Sequence, residues 1–264
     1  MNILLEQVSF SYLPKTPVLR DISLRINAGE RVALLGRNGC GKTTLARHLN
    51  GLLQPNHGHV RIGDWDTRTK PVAEMARHVG LLFQNPDDQL FKQNLWDEVA
   101  FGARNLGYPA AHVDELVGQA LEWLALTDLR DANPYDLGYS QRKLVALASV
   151  IAMGTPMLVL DEPTAGLDGA EINLFVGALA KLSNAGKTII TISHDMDFVA
   201  EEFSRVICMD AGRVIFDGRT ASAFGDQAVL SACGLDMPQV ARLSTHFQQP
   251  KLALTPEAFF LADG

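Results

Sequence analysis

Residues 36 to 43 read Gly-Arg-Asn-Gly-Cys-Gly-Lys-Thr, and this octapeptide constrains the fold more than any other stretch of the chain. It fits G-x-x-x-x-G-K-[ST] at every fixed position, with an apolar run, Val32 to Leu35, ahead of it and a helical pattern after Gly41. Glycines at Gly36, Gly39 and Gly41 let the backbone curl until several N–H groups face one point, and the start of the following helix adds partial positive charge there. Such a cradle suits a phosphate. Lys42 brings a mobile cation for the β and γ groups of a polyphosphate, and the Thr43 hydroxyl suits Mg²⁺. Arg37, Asn38 and Cys40 fill the free positions; for Cys40 a small side chain in a tight loop is a sufficient account.

The remaining pattern agrees with a strand–loop–helix unit set in a larger sheet. Short β-rich segments come first: Leu4 to Tyr12, Ile22 to Ile26 with clean alternation, then Val32 to Leu35. Later apolar strands, Val79 to Phe83, Met157 to Leu160, Thr188 to Ile192 and Val206 to Met209, are separated by helical stretches. Asp210-Ala211-Gly212-Arg213 reads as a hairpin turn before Val214 to Phe216. Apolar strands alternating with helices predict an α/β fold with a mostly parallel sheet covered on both faces, preceded by an antiparallel β part. The helical block from about 85 to 150 lies between two strands of that sheet and reads as an inserted α-helical subdomain. The last 45 or so residues lose the alternation and read as a short appended extension.

Composition narrows the partners. With 23 basic and 30 acidic residues the formal charge is −7, which offers no electrostatic reason to bind a nucleic acid backbone, and no such partner is expected. Three scattered cysteines argue for a reducing compartment and against a disulfide framework or a zinc site. No secretory leader is readable at Met1 to Glu6, and the most apolar stretch, Leu144 to Leu160, is broken at Gly154-Thr155-Pro156, short of the ~18 apolar residues that span a bilayer. Any membrane role therefore runs through a partner.

The strand Met157 to Leu160 ends in Asp161-Glu162. At the carboxyl end of a strand beside a phosphate loop, Asp161 is placed to hold Mg²⁺ and Glu162 to polarise an attacking water. His194 follows the strand Thr188 to Ile192; it fits either a contact to the γ-phosphate or a buried structural histidine. His57 and His59 share a strand face and read as a solvated pair.

Taken in order, these segments resemble the ATP-binding subunit of ABC transporters. Leu137-Gly138-Tyr139-Ser140-Gln141 is similar to that family's signature loop, Gln84 to its Q-loop glutamine, Ala165-Gly166-Leu167-Asp168 to its D-loop, and His194 to its switch histidine. Tyr12 stands where the family places an aromatic for adenine, although a tyrosine packing on its own sheet also accounts for it. The likeness covers about residues 1 to 220. It implies a P-loop NTPase fold, with an ATPase domain over 1–219 and an extension over 220–264. It also implies ATP held by residues 36–44 with Tyr12 and Gln84, and Mg²⁺ held by Thr43, Gln84 and Asp161. Thr44 enters the site through this resemblance. Glu162 and His194 are the implied catalytic pair.

A narrower likeness lies in Phe83-Gln84-Asn85-Pro86-Asp87-Asp88-Gln89-Leu90-Phe91 and in Gly234-Leu235-Asp236-Met237-Pro238-Gln239-Val240, which resemble the Q-loop region and C-terminal extension of energy-coupling factor (ECF) ATPases, which power the import of vitamins and metal ions. It implies a second ATPase subunit, the same or a related chain, whose signature loop covers ATP bound here, and an integral membrane subunit docked near residues 84–91 at the cytoplasmic face of the membrane. The extension then helps to hold the ATPase pair together. A soluble ABC-class ATPase without a membrane partner is the alternative. The signature loop departs from the family's L-S-G-G-Q: Gly138 lacks the hydroxyl and Ser140 adds bulk. Ser140 either caps the helix that follows and replaces the lost contact, or leaves a loop that works less well; the expectation is that hydrolysis is lowered at the site this loop covers.

Overall fold

Apolar runs such as Val32–Leu35 and Met157–Leu160 have no polar face to turn to water, so each needs cover on both sides. The computed structural model describes residues 1–261 and provides that cover. Among the described residues ten strands form two sheets: β1 (Ile3–Ser11), β2 (Pro17–Ile26), β3 (Arg31–Gly36), β4 (His57–Ile62), β5 (Trp65–Asp66), β6 (Val79–Leu82), β7 (Met157–Asp161), β8 (Thr188–Ile192), β9 (Arg205–Asp210) and β10 (Arg213–Arg219). The larger sheet has the order β10-β9-β3-β8-β7-β6, parallel throughout except for β10. The smaller, β2-β1-β4-β5, is antiparallel.

Parallel pairing decides where the site lies. β3, β8 and β7 are neighbours, with Leu34 opposite Ile192 and Leu160 opposite Thr191, so their carboxyl ends and the loops that follow reach the same edge of the sheet. Both faces of the sheet are filled. On one, Val32, Leu34, Ile190 and Ile192 pack with Ile3, Leu5, Val8 and Ile22 of the antiparallel sheet and with Leu45. On the other, Ala33, Leu35, Leu158 and Leu160 meet a helical layer that includes Phe175, Leu179 and Val199.

The helices are α1 (Lys42–Leu49), α2 (Val72–Met75), α3 (Leu95–Asn105), α4 (Ala110–Trp123), α5 (Tyr139–Ala152), α6 (Gly169–Asn184), α7 (Met196–Glu202), α8 (Thr220–Phe224), α9 (Gln227–Cys233), α10 (Gln239–His246) and α11 (Pro256–Leu261). α1 stops at Leu49 rather than at Leu52, because Gly51 turns the chain at φ +79°. α3 to α5 form the helical insertion between β6 and β7. It begins later than the sequence pattern indicates: Pro86–Asp88 is a single 3₁₀ turn, and α3 starts only after Asn94, whose side chain accepts from the Asp97 N–H at 3.1 Å. The hairpin between β9 and β10 forms as read, with Ala211 and Gly212 both at positive φ and Asp210 paired with Arg213. The extension is well attached: Leu230 and Cys233 of α9 are buried in the main core.

Candidate active site

Three glycines at positive φ, Gly36, Gly39 and Gly41, shape the phosphate loop, and two of them also have no room for a side chain. Gly36 sits at φ +142°, and a Cβ there would lie 2.2 Å from the Met209 carbonyl oxygen. Gly41 sits at φ +108° as the N-cap of α1, with a Cβ position 2.9 Å from Leu19 Cδ2. No other residue fits either place. Because its cap is a glycine and its first turn holds no acid, α1 opens with uncapped N–H groups aimed out of the loop. Lys42 lies folded along the loop and largely buried, its Nζ donating to the carbonyls of Gly36 (2.6 Å) and Arg37 (3.1 Å). Neutral carbonyls leave the ammonium charge uncompensated and free to meet an anion.

Residues far apart in sequence converge in front of this loop. A cavity of about 370 Å³ is lined by Asn38, Gly39, Gly41, Lys42, Thr43 and Thr44, by Gln84 from the end of β6, by Asp161 and Glu162 from the end of β7, and by Ile192 and His194 from the end of β8; Val18 closes one side. The Thr43 hydroxyl donates to Asp161 Oδ2 at 2.8 Å, so the two oxygens expected to share a cation already meet. Gln84 also lines the neighbouring hollow with Thr43 and Asp161. These hard oxygen donors suit Mg²⁺. Burial pushes the Asp161 carboxyl up, and the Thr43 hydrogen bond and Lys143 charge oppose it only in part. A divalent cation would relieve that.

Glu162 is held in a rare conformation, φ +50°, with its N–H donating to the Ile192 carbonyl at 2.9 Å. The turn aims its carboxylate into the cavity. Oε2 accepts from the His194 backbone N–H at 3.2 Å, whereas Oε1, buried, has no hydrogen-bond partner and lies 3.5 Å from His194 Nε2. Burial and then the neighbouring Asp161 charge raise its pKa to about 7, against the His194 hydrogen bond. A buried carboxylate with an unused lone pair and a pKa near neutrality has the properties of a general base. His194 is not a buried structural histidine: its side chain is 45% exposed at the cavity. Burial of the rest of it and the Lys42 charge lower its pKa, so the ring is neutral at physiological pH.

One participant escapes a motif-based reading. Lys143, on the first turns of α5, is 1% exposed, and its Nζ donates to the main-chain carbonyls of Phe83 and Gln84. Burial lowers its pKa to about 8, while the charges of Asp161 and Glu162 hold it up. It ties α5 to the segment after β6 that carries Gln84. The available sequence signal was a lysine leading the apolar run Leu144 to Ala148, where a helix buries one face.

The other expected site residues lie apart from this cavity. Tyr12 is 52% exposed; its ring meets Phe10 edge-on at 4.9 Å and its hydroxyl lies 3.2 Å from Thr44 Oγ1. It lines a second cavity, about 540 Å³, with Phe10, Pro17 and Asn56, leaving a free ring face beside α1. The loop Leu137–Gln141 does not line the Lys42 cavity in this chain. Ser140 does not cap α5: the helix begins at Tyr139, Gly138 is the N-cap, and Gln141 Oε1 accepts from the Gly138 N–H at 3.4 Å. Ser140 falls inside the first turn, where its hydroxyl is past the capping position. The Tyr139 ring packs against Gly166, whose φ is +82° and whose Cβ position lies 2.6 Å from the ring. Asp168 is the N-cap of α6 in a reciprocal pair with Glu171, both bonds 2.9 Å. His59 donates through Nδ1 to the Asp66 carboxylate at 2.8 Å, on the antiparallel sheet.

Comparison with known proteins agrees with this architecture. Residues 19–165 match the family model described as ABC transporter. A putative ABC transporter ATP-binding protein of Methanosarcina acetivorans is 40% identical over 243 residues, 92% of this chain; the chain spans 40% of that protein's length. An energy-coupling factor transporter ATP-binding protein EcfA2 of Clostridium perfringens is 36% identical over 271 residues, covering 99% of this chain and 95% of its own. Among solved structures, that of cbiO1 from Clostridium perfringens, described as part of the ABC transporter complex cbiONQ, superposes with a TM-score of 0.77 at 32% identity over 93% of this chain and 98% of the other.

Proposed function

The chain belongs to the family of ABC transporter ATP-binding proteins and is an ATPase of that class; from that premise we propose that it powers an importer of the ECF type, for a vitamin or a metal ion. The supporting likeness is to EcfA2 over nearly the whole of both chains. The observation that carries the catalytic reading is the convergence, in one cavity, of Lys42, the Thr43–Asp161 pair and a buried Glu162 with a free oxygen.

In this reading the N–H groups of residues 36–44 and Lys42 bind the β- and γ-phosphates, and Tyr12 stacks on the adenine. Thr43, Gln84 and Asp161 hold Mg²⁺, which when bound screens the charge of the phosphates. Glu162 takes the proton of the attacking water through Oε1, and neutral His194 donates a hydrogen bond to the γ-phosphate. The N–H groups at the start of α5, which no side chain caps, face the γ-phosphate of a nucleotide held by a second ATPase subunit, the same chain or a related one. Asp168 of the D-loop stands at that same boundary. Closure on ATP and reopening after hydrolysis then move a membrane subunit.

That subunit is proposed to dock on the apolar cleft of about 350 Å³ formed by Phe83, Phe91, Phe101, Leu106, Val150 and Met153, next to Gln84. Phe91 and Phe101 remain 51% and 36% exposed there. No helix among the described residues is long and apolar enough to cross a membrane, so a place at the cytoplasmic face depends on this partner. The domain reading of 1–219 and 220–264, with the extension joining the ATPase pair, is part of the same proposal.

Affinity purification of the tagged chain from detergent-solubilised membranes tests it. An integral membrane protein should co-purify and raise the ATPase rate, and Phe91→Glu should abolish both. Full ATPase activity in the soluble fraction with no membrane protein retained would favour the soluble alternative.

A further inference from the structure

The C-terminal extension touches the phosphate loop directly at Arg37 and backs Gly36 through the end of β9; these are the two residues whose carbonyls hold Lys42. Lys42 Nζ donates to Gly36 O and Arg37 O. The Arg37 guanidinium reaches back over the loop and donates through Nη2 to the Ser231 carbonyl, in the last turn of α9, at 2.8 Å. Its stem lies across Gly234, the left-handed residue (φ +59°) that ends α9; a Cβ there would fall 2.6 Å from Arg37 Nε and 2.8 Å from Cγ. A cation on a helix's last carbonyls also meets the negative end of its dipole.

Gly36 is backed from the same helix. The Cys233 thiol donates to the Met209 carbonyl at 3.7 Å, and that carbonyl oxygen is the atom 2.2 Å from the Cβ position of Gly36. α9 has little freedom of its own, since Leu230 and Cys233 are buried in the main core and the Asp226 side chain caps its start. Residues 231 to 234 thus bear on the loop at two adjacent points, one by a charged hydrogen bond and steric fit, the other through the end of β9.

We propose that the α9–Gly234 turn is a positioning element for the phosphate loop, gripping Arg37 so that the carbonyls of Gly36 and Arg37 hold Lys42 in place to receive a nucleoside triphosphate. This rests on the functional reading above, and it adds that the extension acts on nucleotide binding within its own chain. Loosening the grip raises the KM for ATP while turnover at saturation stays the same, because Glu162, Asp161 and His194 are carried by other strands.

The test uses the chain of residues 1–264. Gly234→Asn keeps a residue that tolerates the left-handed region yet places a Cβ where Arg37 lies. We expect the KM for ATP to rise about three- to tenfold, the scale of one charged, partly exposed contact, with kcat within twofold and thermal unfolding unchanged within about 2–3 °C. Arg37→Ala should raise KM similarly, and adding it to Gly234→Asn should produce no further rise, since both break one contact. Arg37→Lys, which retains charge without the fork, should fall between and serves if Gly234→Asn does not fold. A Gly234→Asn KM equal to that of the unaltered chain, or a double variant whose effects multiply, overturns the proposal, because Arg37 would then touch nucleotide itself or do nothing. Failure of the unaltered chain to bind ATP would instead remove the functional reading beneath it.

Discussion

Glu162→Gln should stabilise the protein and stop its turnover, and the stabilisation should appear only above a definite pH. The carboxyl is carried from its ordinary 4.5 to about 7, first by burial and then by the Asp161 charge. At 1.36 kcal/mol per pH unit, that difference amounts to about 3 kcal/mol. A raised carboxylate pKa is a penalty on the ionised fold. Below pH 4.5 the group is protonated in both folded and unfolded chains and contributes nothing. Between 4.5 and 7 the unfolded chain has released a proton that the folded chain retains, so stability falls as pH rises; above 7 the whole penalty is present. Glutamine is neutral throughout. Its amide can still accept from the His194 N–H where Oε2 does now, and its NH₂ faces His194 Nε2, 3.5 Å from the present Oε1. Urea unfolding of both proteins, free of nucleotide and Mg²⁺, should therefore coincide near pH 4.5 and diverge to about 3 kcal/mol by pH 8. The same pKa places the acidic limb of kcat/KM for ATP near pH 7 in the unaltered protein, and Glu162→Gln should lose roughly 10²- to 10⁴-fold in kcat as a base is removed. A stability difference that does not change with pH, or a glutamine variant less stable at pH 8, would refute the assignment of Glu162 as a buried, destabilised carboxylate.

Three further outcomes follow from the site. Lys42→Ala removes the one ammonium folded along the loop and should weaken ATP binding about 10- to 100-fold by fluorescent-nucleotide titration, with the fold intact by circular dichroism. Tyr12→Ala should cost about 1–3 kcal/mol in ATP affinity, the scale of base stacking on an aromatic ring, while binding of inorganic triphosphate stays unchanged; equal losses for both ligands would reassign Tyr12 to supporting Thr44. Changing Gly138→Ser together with Ser140→Gly should raise steady-state ATP hydrolysis of the assembled complex, and an unchanged rate would mean that the departures in this loop are neutral.

Much of this site is legible in sequence because its chemistry dictates residue types at fixed spacing. A curled phosphate loop requires glycine where φ is positive and the backbone of another strand is 2.2 Å from the missing Cβ, and Gly36 announces that requirement. Strand ends are equally readable, since an apolar run that stops at Asp161-Glu162 can bury the run and not the charges. What stays hidden is set by tertiary packing. Lys143 resembles any helix-surface lysine until the approach of β6 buries it against the Gln84 carbonyl. Ser140 looks like a helix cap because serine favours that role, yet the helix starts at Tyr139 with Gly138 as its N-cap and leaves Ser140 inside. The contact between Arg37 and the α9 turn joins residues 194 positions apart, and no local pattern carries it. Boundaries shift for the same reason, as at α3, where the pattern from residue 85 is helical but Asn94 fixes the start.

In the proposed function the catalytic site is shared, with triphosphate gripped by the loop at Lys42 and covered by another subunit. A crystal structure of the chain with Mg²⁺ and a non-hydrolysable ATP analogue, together with whichever ATPase subunit co-purifies, measures this directly. The γ-phosphate should lie sandwiched between Lys42 of this chain and the signature-loop helix of its neighbour. A nucleotide wholly enclosed by one polypeptide would contradict it.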